Sequence, residues 1–151
     1  MKKILIPAVF FIILGFFLGQ IIFCKNNISF KQKEKAYFLQ EGVYNNSSNI
    51  QTNLFDLIPK VVENKDNKYY VYVGITRDRD IAKLLEDIYN KRGIKVYTKE
   101  KEITSSAFII NVEQFDLLIK DSIDSDQILT IEEIVLGNYE EIIKNNSKNK
   151  Y

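Results

Sequence analysis

Histidine is absent from the 151 residues, and cysteine occurs once, as Cys24 at the end of an apolar run. Together these absences remove the commonest acid/base side chain and the usual nitrogen and sulfur ligands of transition metals. One cysteine allows no intrachain disulfide, so cysteine usage says nothing of redox compartment. Excess charge of either sign is missing too: 21 Lys and Arg stand against 20 Asp and Glu, a formal net charge of +1. Proteins that bind phosphate backbones need a surplus of basic residues to displace counterions, which argues against nucleic acid as a partner. No glycine-rich segment ends in the Gly-Lys-Ser/Thr of a phosphate loop. The carboxylate pairs Asp124 and Asp126, Glu132 and Glu133, and Glu140 and Glu141 could in principle serve a glycosidase. They fall in helical patterns beside lysines, however, and read as solvated helix faces. The expectation is a protein that is not an enzyme and uses no cofactor or metal.

What is present begins with Ile4 to Cys24, which holds no ionisable group except Cys24 and only Gln20 as a strongly polar residue. About 20 apolar residues cross the hydrocarbon core as a helix, so residues 1–24 read as a transmembrane signal anchor. A cleaved signal has a shorter apolar region of about 7–15 residues and a small-x-small cleavage site, and neither is found. A lipid-attachment cysteine is disfavoured by Phe23 just before Cys24, where a small residue is expected. Gly15 and Gly19 form the G-x-x-x-G step through which two spans can approach. Lys2 and Lys3 on one flank balance Lys25, Lys31, Lys33 and Lys35 on the other, so charge alone does not orient the span.

Residues 25–35 are a polar, lysine-rich linker. Beyond it the chain repeats itself: Tyr37-Phe38-Leu39-Gln40-Glu41-Gly42-Val43-Tyr44 is echoed by Tyr69-Tyr70-Val71-Tyr72-Val73-Gly74-Ile75-Thr76, 32 positions later. Both phrases carry two leading aromatics, an aliphatic third residue, Gly sixth and an aliphatic seventh, and both precede a helical pattern. Such self-similarity marks a duplicated strand-helix unit.

The first phrase leads to a capping Asn46 or Ser47 and a helical stripe of Ile50, Leu54, Leu57 and Ile58, stopped by Pro59. Val61 to Glu63 is a short strand, and Asn64 to Asn67 turns back into the second phrase. Asp78 then caps a helix with the stripe Ile81, Leu84, Leu85 and Ile88, Gly93 ends it, and Ile94 to Glu102 is a last strand. The order β-α-β-β-α-β predicts an α+β fold: a ferredoxin-like split βαβ unit with a four-stranded antiparallel sheet and the duplicated phrases at its centre. Residues 104–144 predict a C-terminal helical hairpin with stripes Phe108, Val112, Phe115, Ile119 and Ile128, Ile131, Val135, Asn138, Ile142. Residues 145–151 read as a disordered tail.

Strict alternation along the strands puts Phe38, Gln40, Gly42 and Tyr44 on one face, together with Tyr70, Tyr72, Gly74 and Thr76. The aliphatic face of Leu39, Val43, Val71, Val73 and Ile75 goes under the helices. The other face is then an aromatic surface with Gln40 at its middle and Tyr97 nearby. It suits sugar rings, which stack on aromatics while an amide bonds their hydroxyls, and it equally suits stacked nucleobases. The C-terminal helices offer a third outcome, in which they cover this face.

The phrase Gln40-Glu41-Gly42-Val43-Tyr44, a helix, then Tyr70-Val71-Tyr72-Val73-Gly74-Ile75-Thr76, a second helix and the Gly93 turn into Ile94-Lys95-Val96-Tyr97 resemble the SPOR (sporulation-related repeat) domain. The resemblance covers about residues 36–103. It implies a membrane-anchored, non-catalytic module, outside the cytoplasm, that binds peptidoglycan glycan strands lacking stem peptides during cell division or sporulation. Gln40, Gly42, Tyr44 and Gly74 match family positions, and Tyr72 stands where the family is often polar or basic. Glu41, Thr76 and the short polar stretch Pro59 to Asn67 depart from the pattern. The resemblance therefore implies a glycan site of Phe38, Gln40, Tyr44, Tyr70 and Tyr72. The alternative is a protein-protein interaction scaffold of a membrane complex, with the C-terminal helices covering the sheet and contacting a partner.

Overall fold

The repeated phrases become neighbouring strands. The computed structural model describes residues 33–51, 58–122 and 124–148. Strands β1 (Glu34–Tyr44), β2 (Val61–Lys65), β3 (Lys68–Thr76) and β4 (Tyr97–Ile103) form one sheet in the order β2-β3-β1-β4. All three pairings are antiparallel, so the two phrases take its centre as β1 and β3. Asp66 and Asn67, both at positive φ, make the two-residue turn joining β2 to β3. Asn and Asp tolerate that conformation, and a turn with two such residues matches the twist of a hairpin.

Helix α1 (Arg79–Lys91) starts where Asp78 accepts from the backbone N–H groups of Asp80 and Ile81. It stops before Gly93, which adopts φ +78°. Helices α2 (Ser106–Asp121) and α3 (Ser125–Lys148) follow β4, with Ser105 capping the first. The expected helix after β1 falls largely outside the described residues; within them a 3-10 turn covers Ser47–Gln51. The expected membrane span also lies outside them, and no helix among the described residues is long and apolar enough to cross a membrane.

Strict alternation fails at the middle of the central pair. Leu39 faces Gly74 and Gln40 faces Tyr72, which leaves Val73 unmatched; Gln40 faces Tyr72 and Gly42 faces Val71, which leaves Glu41 unmatched. Each extra residue is a bulge that turns the following side chains to the opposite face. Directly facing residues share a side of the sheet. Ile75 therefore joins Phe38 on the aromatic face, Val43 joins Tyr70, and Tyr44 moves with Tyr69 to the opposite face.

Both faces are covered. Leu39, Val73, Ile81, Leu85 and Tyr89 pack on the α1 side. Phe38, Tyr72, Ile75, Phe108, Val112 and Tyr139 pack on the side of α2 and α3. Ile119, Ile128 and Leu129, from where the two C-terminal helices meet, belong to the α1-side core. The hairpin thus reaches past the sheet from one face to the other.

Candidate functional site

The expected sugar platform is a core. Phe38 is 0% exposed and Tyr72 5%. Their rings meet edge to face at 5.0 Å, and Tyr139 of α3 lies 5.1 Å from Phe38 and 6.4 Å from Tyr72. Those geometries favour aromatic pairs beyond their buried area, by roughly 1 kcal/mol each. Lys101 of edge strand β4 reaches across this cluster, its Nζ 5.0 Å from the Phe38 and Tyr72 centroids and 5.2 Å from that of Tyr139. The ammonium donates to the Tyr139 hydroxyl at 2.6 Å and to the Glu63 carboxylate on the opposite edge strand, β2. One lysine therefore clasps all four strands and α3 beneath the hairpin. Burial first, and the Glu63 charge second, push the Tyr72 and Tyr139 hydroxyls above the ordinary phenol range.

The other three expected residues divide. Tyr70 stacks on Tyr72 with centroids 6.4 Å apart and planes 13° from parallel, and it remains half-buried. Gln40 is half-buried between Tyr72 on β3 and Tyr97 on β4. Tyr44 leaves the group through the Glu41 bulge; its hydroxyl donates to the Glu41 carboxylate at 2.8 Å, and burial with that bond pushes it up to about 12. Phe38, Tyr70, Tyr72 and Gln40 are thus brought together, but two of them are sealed. The part of the face open to solvent includes Gln40, Val43, Tyr70, Tyr97 and Lys99, with Tyr97 59% exposed.

A second polar constellation was not anticipated from sequence. β2 pairs with β3 only as far as Tyr72, so the same edge of β3 is unpaired at residues 73–77. Along a strand every second residue points its backbone groups to one edge, and here three helices supply the missing partners. The Val73 carbonyl accepts from the Tyr89 hydroxyl of α1 at 2.5 Å. The Ile75 N–H donates to Glu132 Oε2 of α3 at 3.0 Å, and the Arg77 N–H to Asp116 Oδ2 of α2 at 2.9 Å. Asp116 Oδ1 also accepts from the Thr76 hydroxyl at 2.6 Å.

Glu132 corrects the reading of Glu132 and Glu133 as a solvated face, because it is wholly buried. Burial, and then the charge of Asp116, push its carboxyl up to about 8 against the pull of the Ile75 N–H. It is therefore neutral at pH 7. Its Oε1 has no hydrogen-bond partner among the described residues, and the proton belongs there while Oε2 accepts. Asp116 is also raised by burial. The signal in the sequence was positional: Glu132 lies on the stripe Ile128, Glu132, Val135, Leu136, Tyr139, whose spacing is helical.

Both carboxylates accept from the backbone at the edge of β3, Glu132 inside the core and Asp116 at the border of a hollow. Among the described residues no group of three or more His, Cys, Asp or Glu could hold a metal ion. A hollow of about 340 Å³ near Asp116 is bordered by Arg77, Asp78, Glu113, Leu117 and Lys120. Its charges are paired: Arg77 with Glu113 at 2.6 Å and Lys120 with Asp78 at 2.5 Å. Comparison with family models, curated proteins and solved structures finds no match to the chain.

Proposed function

We propose that the chain is a membrane-anchored, non-catalytic protein-protein interaction scaffold, built on a ferredoxin-like split βαβ sheet whose broad face is closed by its own C-terminal helices. The observation that carries this reading is the burial of Phe38 and Tyr72 under Tyr139, with Lys101 filling the remaining space between the rings. What is left to a partner is the open end of that face, Gln40, Val43, Tyr70 and Tyr97, where aromatic, aliphatic and amide groups adjoin. Tyrosine is enriched at protein interfaces for its large, weakly polar area. Edge-to-edge assembly through β4 is opposed by its Lys99, Glu100 and Glu102. In a two-fold antiparallel pairing Glu would face Glu and Lys would face Lys, which is unfavourable. A photo-crosslinking residue at Tyr97 of the membrane-inserted chain should yield a discrete protein adduct, with the same residue at Lys83 as the silent control. Equal labelling at both positions contradicts the scaffold.

One observation favours a second reading: Gln40 sits directly beside Tyr97, with Tyr70 close by, which is a small version of the amide-and-ring layout a sugar needs. On that reading the module binds peptidoglycan glycan strands outside the cytoplasm, as the SPOR resemblance implies, but through a rim rather than a platform. Co-sedimentation of the full chain with amidase-treated and intact peptidoglycan separates the two. Selective pelleting that Gln40→Ala and Tyr97→Ala abolish supports the glycan; failure to pellet with either leaves the protein partner.

A further inference from the structure

The charges of β4 are sorted by face. On the α1 side Glu100 and Glu102 are ion-paired with Lys35 and Lys33 at 2.5 and 2.9 Å. On the other side Lys101 is held by Glu63, whereas Lys99, two residues from Tyr97, is exposed and has no ion pair among the described residues. Lys65 and Lys68 face each other across the β2-β3 hairpin on that same side, with Asp66 in the turn between them. The other carboxylates of this end are engaged, Glu63 by Lys101 and Glu41 by the Tyr44 hydroxyl. The open end around Gln40, Val43, Tyr70 and Tyr97 is therefore bordered by unmatched positive charge. Its complement is an anionic surface with an apolar centre.

The outer side of α3 is such a surface. Gly137 lies in the middle of the helix, is exposed, and a methyl group there would meet nothing within 4 Å. Glycine costs about 1 kcal/mol against alanine in a helix interior, and neither a positive φ nor a close neighbour within the chain asks for it. Its neighbours one turn away are Glu133, Ile134, Glu140 and Glu141, with Ile134 50% exposed. Lys144, on the same side, binds Glu140 at 2.9 Å, and Glu133 and Glu141 have no ion pair among the described residues. The spacings agree as well. Tyr97 and Lys99 are about 7 Å apart along their strand, and Gly137 is about 6 Å from Glu133 and from Glu141 along the helix.

We propose that the open end of the sheet docks on the outer side of α3 of a second copy, with the Tyr97 ring over Gly137 beside Ile134 and Lys99 paired with Glu133 or Glu141. The inference rests on the scaffold reading above and names the chain itself as the partner. Glycine lets the ring reach the helix backbone. The two surfaces differ, so each contact leaves one of each kind free and copies follow one another head to tail. Both patches are small, so the contact is weak and forms as copies crowd together, while the dilute chain keeps Tyr97 open.

The purified full chain, as an equal mixture of unlabelled and heavy-nitrogen copies in a mild detergent, is treated over a range of concentrations with a carbodiimide, which joins ion-paired amines and carboxylates. Mixed-isotope peptides linking Lys99 to Glu133 or Glu141 should appear and increase with concentration. Gly137→Leu, which favours the helix, should cut the two-chain adduct at least about ten-fold. Lys99→Glu and the double variant Glu133→Lys with Glu141→Lys should each lose the adduct alone and regain it when mixed. Absence of mixed-isotope links, a Gly137→Leu adduct at the wild-type level, or loss in both charge variants without recovery on mixing overturns the proposal. If the purified chain yields no adduct while the crosslinker at Tyr97 captures a discrete protein of another mass in membranes, only the identity of the partner fails. A crosslinker at Tyr97 that labels no more than the one at Lys83 defeats the scaffold reading itself.

Discussion

Replacing Glu132 by glutamine should remove a large part of the pH dependence of folding. In the native protein burial raises the carboxyl from 4.5 to about 8, with Asp116 reinforcing the shift and the Ile75 N–H opposing it. Between those two values the unfolded chain has released this proton and the folded chain still holds it. The folded state therefore binds about one proton more, and stability falls with rising pH by about 1.4 kcal/mol per unit. The loss begins near pH 4.5 and levels off above about 8; below the window Glu132 costs nothing through ionisation. By pH 7 the accumulated loss is about 3 kcal/mol. Glutamine has the shape of the protonated side chain and can accept from the Ile75 N–H through its carbonyl, so Glu132→Gln keeps the bond and loses the titration. Asp116 is present in both proteins, so the difference between them isolates Glu132. Urea unfolding at pH 5, 6, 7 and 8 should give curves that converge toward pH 5 and separate steadily above it, with the variant more stable. Parallel stability curves over that range, or a variant less stable at every pH, would refute the argument that Glu132 is held neutral against the edge of β3.

Three other substitutions probe the same architecture. Lys101→Ala removes the cation between three rings and leaves Glu63 with the Tyr139 and Tyr72 hydroxyls; the unfolding midpoint should drop by the equivalent of about 2–3 kcal/mol. Lys101→Met, which retains the apolar stem, should lose less, and Lys101→Ala with Glu63→Ala should lose less than the sum of the single changes, as a double-mutant cycle in denaturant will show. Gly74→Ala would bring a methyl group to 3.3 Å from Glu132 Oε2, Leu39 and Leu85 at once, so it should cost about 1–2 kcal/mol by thermal unfolding although alanine is otherwise tolerated in strands. Asp78→Ala removes the cap of α1 and the partner of Lys120, and should cost about 1 kcal/mol in the same assay.

Much of this fold is legible from local chemistry. The duplicated phrases announce the two central strands, the polar stretch Asn64 to Asn67 the hairpin turn that falls at its last two residues, Asp78 the start of α1 and Gly93 its end. Each depends on a side chain acting within a few residues of itself. The readings that failed depend on distant neighbours. Nothing in Glu41 or Val73 alone marks a bulge, so alternation placed Tyr44 and Ile75 on the wrong faces. The edge of β3 is open because β2 is short, and only the folded chain shows that Tyr89, Asp116 and Glu132 converge on it. The stripe of α3 includes Glu132 and Tyr139 beside the expected Ile128, Val135 and half-buried Ile131, a widening that a carboxylate in the core conceals. Ile94 and Val96 are buried as expected, yet regular pairing of β4 starts only at Tyr97. For the site, Phe38, Tyr70 and Tyr72 do lie together, whereas Tyr44 leaves them through the Glu41 bulge. Whether that cluster is a surface or a core is decided by the docking of the hairpin, to which Lys101 and Glu63 of the edge strands bond through Tyr139.

The most direct test of the covered sheet is residue-by-residue nitration of the full chain with tetranitromethane, read by peptide mass spectrometry. Tyr97, more than half exposed, should be modified quickly, and Tyr72 and Tyr139, each 5% exposed, should stay unmodified until the protein is unfolded. Nitration of Tyr72 at the rate of Tyr97 in the folded chain would contradict the account and reopen the broad face as a binding surface.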